Sequence, residues 1–337
     1  AGHRYHKISY IPEAIDRFFV ETFLDAFEQP PKQIVLDLDA TDDPLHGSQE
    51  GRFFHGYYGY YGCYCYLPLY IFCGEHLLCA RLRTSNIDAS AGSLEEVIRI
   101  VEQIRQRWAE VKIVVRGDSG FARDNLMSWC EGNGVFYIFG LQRNCRLISA
   151  IQKQLKKAKK KLFKTSLSAR VYRDFRYRTL NSWSKRRRVV GKAEALRGKD
   201  NPRFVVTNLD KRDYDARALY EDLYCARGDM ENRIKEQQLG LFADRTSSAT
   251  FCANQLRLWF SSVAYLLMTE LRRVGLKGTE YARAQVTTIR TKLLKIGAHF
   301  SISARRVFVR FATGYPYAKV IAAILANQEA HYRPLRA

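Results

Sequence analysis

The chain has 337 residues, 47% of them hydrophobic, which is enough to bury a sizeable core and excludes a disordered tail. Its formal net charge of +21 answers a polyanion, with nucleic acid first and an anionic membrane face second. The eight cysteines form no Cys-x2-Cys pair, so they read as reduced core thiols of a cytosolic protein and not as a zinc ribbon or disulfide frame.

The opening "AGHRYHKISY" has no apolar h-region of a signal peptide, and the chain starts without Met, as a fragment or processed product would. "IPEAIDRFFVETFLDAFEQ" carries a helical period that "PP" ends. "QIVLDLDAT" predicts a buried strand broken only by two aspartates. "GYYGYYGCYCYLPLYIF" and "HLLCARLR" read as two further strands, antiparallel to the first, and the Tyr cluster as packed sheet surface. Then come an amphipathic helix "SLEEVIRIVEQIRQRW", a buried strand "EVKIVVRGDSGF", a short helix "DNLMSWCEGNG" and a fifth strand "VFYIFGL". Three strands, a helix, a strand, a helix and a strand make an α/β layout with a mixed sheet and flanking helices. That order resembles the ribonuclease-H-like fold.

Character changes next. The basic run "KQLKKAKKK" reads equally as a flexible phosphate-binding arm or as part of a groove. "ARVYRDFRYRTL", "RRRVVGKAEA" and "PRFVVTNL" read as strands of a β-rich insertion hanging off the core, with a turn at "NSWSKR". Helices return from "ARALYEDLYCARG". "LWFSSVAYLLM" within them is too short to span a bilayer, so no membrane contact is expected. "FSISARRVFVRF" reads as a hairpin and "YAKVIAAILANQ" as a last helix. The expected segments are an N-terminal helical piece (1–30), a first core part (31–145), the insertion (146–212), a second core part (213–275) and a helical and hairpin region (276–337).

Asp37 and Asp39 point to one face of their strand by alternation, and an aspartate in so apolar a strand must be paired, hydrogen-bonded or bound to metal. Asp39 lies nearer the C-terminal end, where ligands gather in α/β sheets. Asp118 repeats the pattern at the end of "KIVVRGD", with Asp124 or Asn125 behind it as a helix cap. Glu231 falls one turn into a helix expected to start after a stop at Gly228, with Lys235 at i+4 and Gln238 at i+7. By spacing alone it is equally one half of a solvated Glu–Lys pair. Two strand-end aspartates and a helix glutamate form a hard-oxygen donor set suited to two Mg²⁺ ions and phosphodiester chemistry.

"DLDATDDPLHG", "VVRGDSGF" and "YCARGDMENRIKE" resemble the three acidic blocks of DDE insertion-sequence transposases. Tyr224, Arg227 and Glu231 match the Tyr-x2-Arg-x3-Glu part of that family's signature, while its Lys position falls on Gln238. The tract after the glutamate, "ADRTSSATFCANQLRLWFSSVAYLLMTELRR", is similar too. The resemblance implies a ribonuclease-H-like core with a β-rich insertion before the glutamate helix. It implies strand cleavage and transfer at the ends of a mobile element, using two Mg²⁺ ions with Mn²⁺ able to substitute. By carry-over the metal ligands are Asp39, Asp118 and Glu231, with Asp37 in reserve. Tyr224, Arg227 and Lys235 would contact DNA. Trp183 would stack on a flipped base as an exposed aromatic beside Arg186, Arg187 and Arg188, or else serve as a core residue of the insertion. The implied partners are double-stranded DNA, as element ends and target, and a second copy in the DNA complex. The implied location is the bacterial cytoplasm, at the nucleoid. Family members carry a DNA-binding region ahead of the first aspartate, and here little chain precedes it. Two alternatives stand: a non-catalytic DNA-binding descendant, and a related nuclease that cuts without joining.

Overall fold

The structure, a computed structural model, describes residues 8–56 and 62–332. The chain divides into two compact units, residues 1–231 and 232–337, each taken here by itself.

In the first unit, Pro12 starts helix α1 (Pro12–Asp25), where its missing N–H costs nothing. Phe19, Val20, Phe23 and Leu24 form its buried stripe. Strand β1 (Gln33–Ala40) follows. The predicted long Tyr-rich strand is two strands. Cys63–Tyr66 belongs to a small three-stranded sheet with Phe53–His55 and Asp43–Pro44. β2 (Leu69–Cys73) belongs to the main sheet. Pro68 separates them, as a residue without an N–H to give a central strand. Of the Tyr cluster, Tyr57, Tyr58, Tyr60 and Tyr61 lie outside the described residues, Tyr66 is buried and Tyr64 is exposed. β3 (His76–Arg81), α2 (Ser93–Arg107), β4 (Lys112–Gly117), α3 (Asp124–Gly132) and β5 (Phe136–Leu141) complete the expected order.

β1 pairs antiparallel with β2 and parallel with β4, and β4 runs parallel with β5. The order β3-β2-β1-β4-β5 is that of a ribonuclease-H-like core. The strand-rich segment does not hang off this core. β8 (Arg203–Thr207) pairs antiparallel with β5, and β7 (Arg187–Leu196) with β8. β6 (Ala169–Tyr177) and the short strand Lys199–Asp200 pair with β7 in turn. The segment thus continues the sheet, giving β5 the neighbour that an open edge lacks. The lysine run is no loose arm: it forms helix α4 (Gln152–Thr165), which packs on β6 and β7. Gly191 in β7 permits this approach, since a Cβ there would stand 2.6 Å from an Ile151 methyl.

Alternation sorts the sheet's side chains. One face gathers Leu36, Leu38, Val115, Phe139 and Val189 with α1 to α4. The other gathers Val114, Ile138, Val190 and Val205 with Leu219, Tyr220 and Leu223 from the chain beyond the sheet.

The second unit holds α6 (Phe251–Glu270), capped by Thr250, whose hydroxyl accepts from the Ala253 N–H. The expected hairpin is present as β9 (Ala298–Ser303) and β10 (Arg306–Phe311), and α7 (Ala318–Tyr332) follows. No helix of the described residues is long and apolar enough to cross a membrane. Of the eight cysteines, Cys145, Cys225 and Cys252 are exposed and Cys63 is half-buried, so these four are not the core thiols expected.

Candidate active site

Register builds the site. Leu38 of β1 stands beside Gly117 of β4, so the next residue of each strand, Asp39 and Asp118, emerges side by side at the sheet's C-terminal end. Asp39 shares parity with Val35, and Asp118 with Val114, so both project to the face covered by the segment from Leu219. That segment runs as one helical stretch from Ala216 into α5 (Gly228–Lys235). Gly228 does not stop it, for its φ of -55° and ψ of -23° are helical. The stretch packs Tyr220 and Leu223 on the sheet and so carries Tyr224, Arg227 and Glu231 to the two aspartates.

Arg227 ties the carboxylates together. Its Nη2 donates to Asp39 Oδ1 at 2.8 Å and its Nη1 to Glu231 Oε1 at 3.1 Å. Its Nε–H is buried and meets no acceptor among the described residues. Asp118 Oδ1 accepts from the Gly120 N–H at 2.8 Å, capping the turn Ser119–Phe121. Burial pushes the Asp39 carboxyl up to about 6; Arg227 opposes this, and the charges of Asp118 and Glu231 add to it.

Asp37, the reserve candidate, is already engaged. It faces Arg116 across the β1–β4 register, and the guanidinium grips both its oxygens, Nη2 to Oδ2 at 2.7 Å. Arg116 also donates to the Leu223 carbonyl, so the pair clamps the helical segment to the sheet. Sequence reasoning missed this role, although Arg116 precedes Asp118 by the same two residues that separate Asp37 from Asp39.

Tyr224 leans over β5, where a Cβ on Gly140 would stand 2.6 Å from its hydroxyl; only glycine admits it. Burial raises the Tyr224 phenol above its ordinary value. Beside it and Asp118 opens a cavity of about 380 Å³, with Arg143 and Arg203 at its wall. Both arginines are exposed. Neither had been singled out, and their spacing in sequence carries no signal; only the β5–β8 pairing brings them together.

In the basic turn Trp183 takes the second of its two readings, a core residue, 3% exposed, edge-on to Tyr177 with centroids 5.9 Å apart, and two of the three arginines differ from expectation. Arg187 is buried against Glu131 at 2.9 Å, the Ser128 hydroxyl at 2.9 Å and Asp124. Arg188 binds Asp174 at 2.6 Å and the carbonyls of Leu209 and Tyr214. The acids lie on a separate helix and strand, so the cations satisfy the fold and do not face solvent. Asp124 caps no helix; it accepts from the Ser184 N–H at 3.0 Å and fixes the turn. Arg186 remains exposed, as does Lys235, one turn beyond Glu231.

Asp39, Asp118 and Glu231 offer the hard oxygen donors a divalent cation takes. Among the described residues no group of three His, Cys, Asp or Glu is already gathered to hold a metal ion. The raised Asp39 carboxyl, burdened by two neighbouring carboxylates, is the observation that fits a cation there, and Arg227 now supplies the positive charge.

No curated protein matches the chain. Among solved structures it is similar to a piggyBac transposase synaptic complex with hairpin DNA, seen by cryo-EM, at 10% identity and a TM-score of 0.45. The match covers 78% of this chain and 52% of that one, so the chain spans about half the other's length. A family model described as "Transposase DDE domain group 1" matches residues 4–331, nearly the whole chain. The chain therefore belongs to the DDE transposase family, group 1.

Proposed function

We propose that the protein cleaves DNA strands at the ends of a mobile element and joins them to target DNA. The observation that carries the reading is that Arg227 bridges Asp39 and Glu231 while Asp118 ends the strand next to Asp39. Asp39, Asp118 and Glu231 would hold the divalent metal. When bound, the metal would activate the attacking water or 3′-hydroxyl and stabilise the leaving oxygen.

The chain's own groups do the rest. Arg227 balances the charge of Asp39 and Glu231, and so keeps the two carboxylates side by side. The Tyr224 hydroxyl, kept protonated by burial, donates to a phosphate oxygen. Arg143 and Arg203 flank the cavity beside Asp118 and would steady the strand leaving the cut. DNA is double-stranded at entry, and two copies of the chain would process two ends.

One observation favours the non-catalytic reading: Arg227 already satisfies two of the carboxylates. A single experiment separates the readings. Labelled element-end DNA is incubated with Mg²⁺ and wild type, Asp118→Ala or Glu231→Ala protein. Nicking by wild type alone, with DNA binding kept in both variants, supports catalysis. A folded wild type that binds and never nicks sinks it, and cutting without joined product leaves a nuclease.

A further inference from the structure

Helix α4 contains seven lysines and no acid in fourteen residues. Leu155 and Ala158 are buried, and with the half-buried Leu162 they form the face set on the sheet. Lys153, Lys156, Lys157, Lys160 and Lys164 follow spacings of three and four, so they form one ridge on the opposite face, and all are exposed. Lys159 pairs with Asp200 at 2.8 Å, whereas the five ridge ammonium groups pair with no acid among the described residues. Like charges at these spacings destabilise a helix, and cations in its first turns oppose its dipole. The helix therefore bears a repulsion that an external anion would relieve.

Eleven steps of about 1.5 Å from Lys153 to Lys164 give the ridge a length of about 16 Å, close to half a turn of a DNA duplex. Its direction is set by the sheet. β6 pairs antiparallel with β7, β7 with β8, and β8 with β5. β6 hence begins, at Ala169, beyond the level of Asp118 at the end where the aspartates emerge. The end of α4 at Thr165 lies only four residues before that point, so the ridge leads toward the catalytic end.

We propose that this ridge docks the phosphate backbone of duplex DNA away from the scissile bond. The inference rests on the DNA-processing reading above. Phe163, 91% exposed, is the sole aromatic in the helix against five ridge lysines, so the ridge is built chiefly for phosphates and not for stacking bases. A membrane surface fits less well, because Leu155 and Ala158 are buried on the sheet and one exposed ring is no apolar face.

The test measures binding of a 40-base-pair duplex of arbitrary sequence against salt, by fluorescence anisotropy. It compares wild type with a variant carrying Lys156→Gln, Lys157→Gln, Lys160→Gln and Lys164→Gln. The expected result is a salt slope shallower by about 3 to 4 and binding at least roughly tenfold weaker near 0.1 M salt. The same four positions changed to Arg should keep the slope. The Gln variant should melt no lower than wild type, since like charges are removed, which guards against misfolding. Equal slopes for wild type and the Gln variant overturn the ridge. So does a variant that binds duplex normally but loses binding to phosphatidylserine vesicles, which would assign the ridge to a membrane. Wild type that binds duplex in this assay yet never nicks element ends sinks the catalytic reading and leaves the ridge to be judged by its slope.

Discussion

Arg116 and Asp37 face each other across the β1–β4 register and form a buried ion pair, with side chains 8% and 7% exposed. The pair ties Asp37 to the sheet interior and leaves Asp39 at the strand end. Asp37→Ala should leave an uncompensated buried guanidinium and cost about 3–5 kcal/mol. Urea unfolding should show this loss, while any protein still folded at low temperature keeps metal-dependent nicking. Loss of nicking in a fully folded Asp37→Ala protein would contradict the assignment.

Asp39 should behave in the opposite way. Its carboxyl stands at about 6 in the fold against an ordinary 3.8, so folding favours its protonated form. The resulting penalty is absent below about pH 4, grows as pH rises toward 6, and is complete above it, on the order of 3 kcal/mol. Asp39→Asn should therefore melt higher than wild type at pH 7 without metal, and the difference should shrink at pH 4. Mg²⁺ should raise the melting temperature of wild type and much less that of the variant. A variant that melts no higher at pH 7 than at pH 4, relative to wild type, would refute this.

Removing Arg227 takes away the charge that holds Asp39 down. Arg227→Ala should push the Asp39 carboxyl higher still, moving the acid limb of the nicking profile to higher pH. Arg227→Lys should restore part of the shift. A profile that falls in height without moving would mean that Arg227 serves DNA alone.

Gly140→Ala would set a methyl 2.6 Å from the Tyr224 hydroxyl and 3.0 Å from the Ser119 nitrogen. Nicking should fall, with a stability cost of about 1–3 kcal/mol. Adding Tyr224→Phe should recover part of the stability, as the contact with the hydroxyl disappears. Double-mutant additivity would show that the two residues do not meet.

Trp183→Ala should cost about 3–5 kcal/mol as a core truncation. Trp183→Phe should cost less and leave duplex binding intact, measured by the same anisotropy titration. Weak DNA binding by a stable Trp183→Phe protein would return this residue to the nucleic-acid surface.

The sheet was readable because "QIVLDLD" and "KIVVRGD" are apolar runs that end in acid, and their burial is what the pattern announces. The choice between Asp37 and Asp39 was not readable, since both share one parity and only the register of a strand far along the chain supplies Arg116. The two readings of Trp183 stayed undecided for a related reason. An aromatic among cations looks the same on a surface and in a core, and the acids that decide, Asp124 and Glu131, sit on α3. In the lysine run, Leu155, Ala158 and Leu162 held a helical period beneath the charge. The sheet continuation past β5 stayed hidden because pairing partners are not encoded locally.

One consequence of the β1–β4 pairing concerns tolerance to change. Asp39 and Asp118 each follow a member of one register pair, Leu38 and Gly117, so the ladder hydrogen bonds below them set their separation from neighbouring strands about 4.8 Å apart, as on a ruler. Side chains beneath can be exchanged without altering that gauge. Only a slip of register would change it, and a slip of one residue would also tear Arg116 from Asp37, which makes the ion pair a detent that keeps the gauge set.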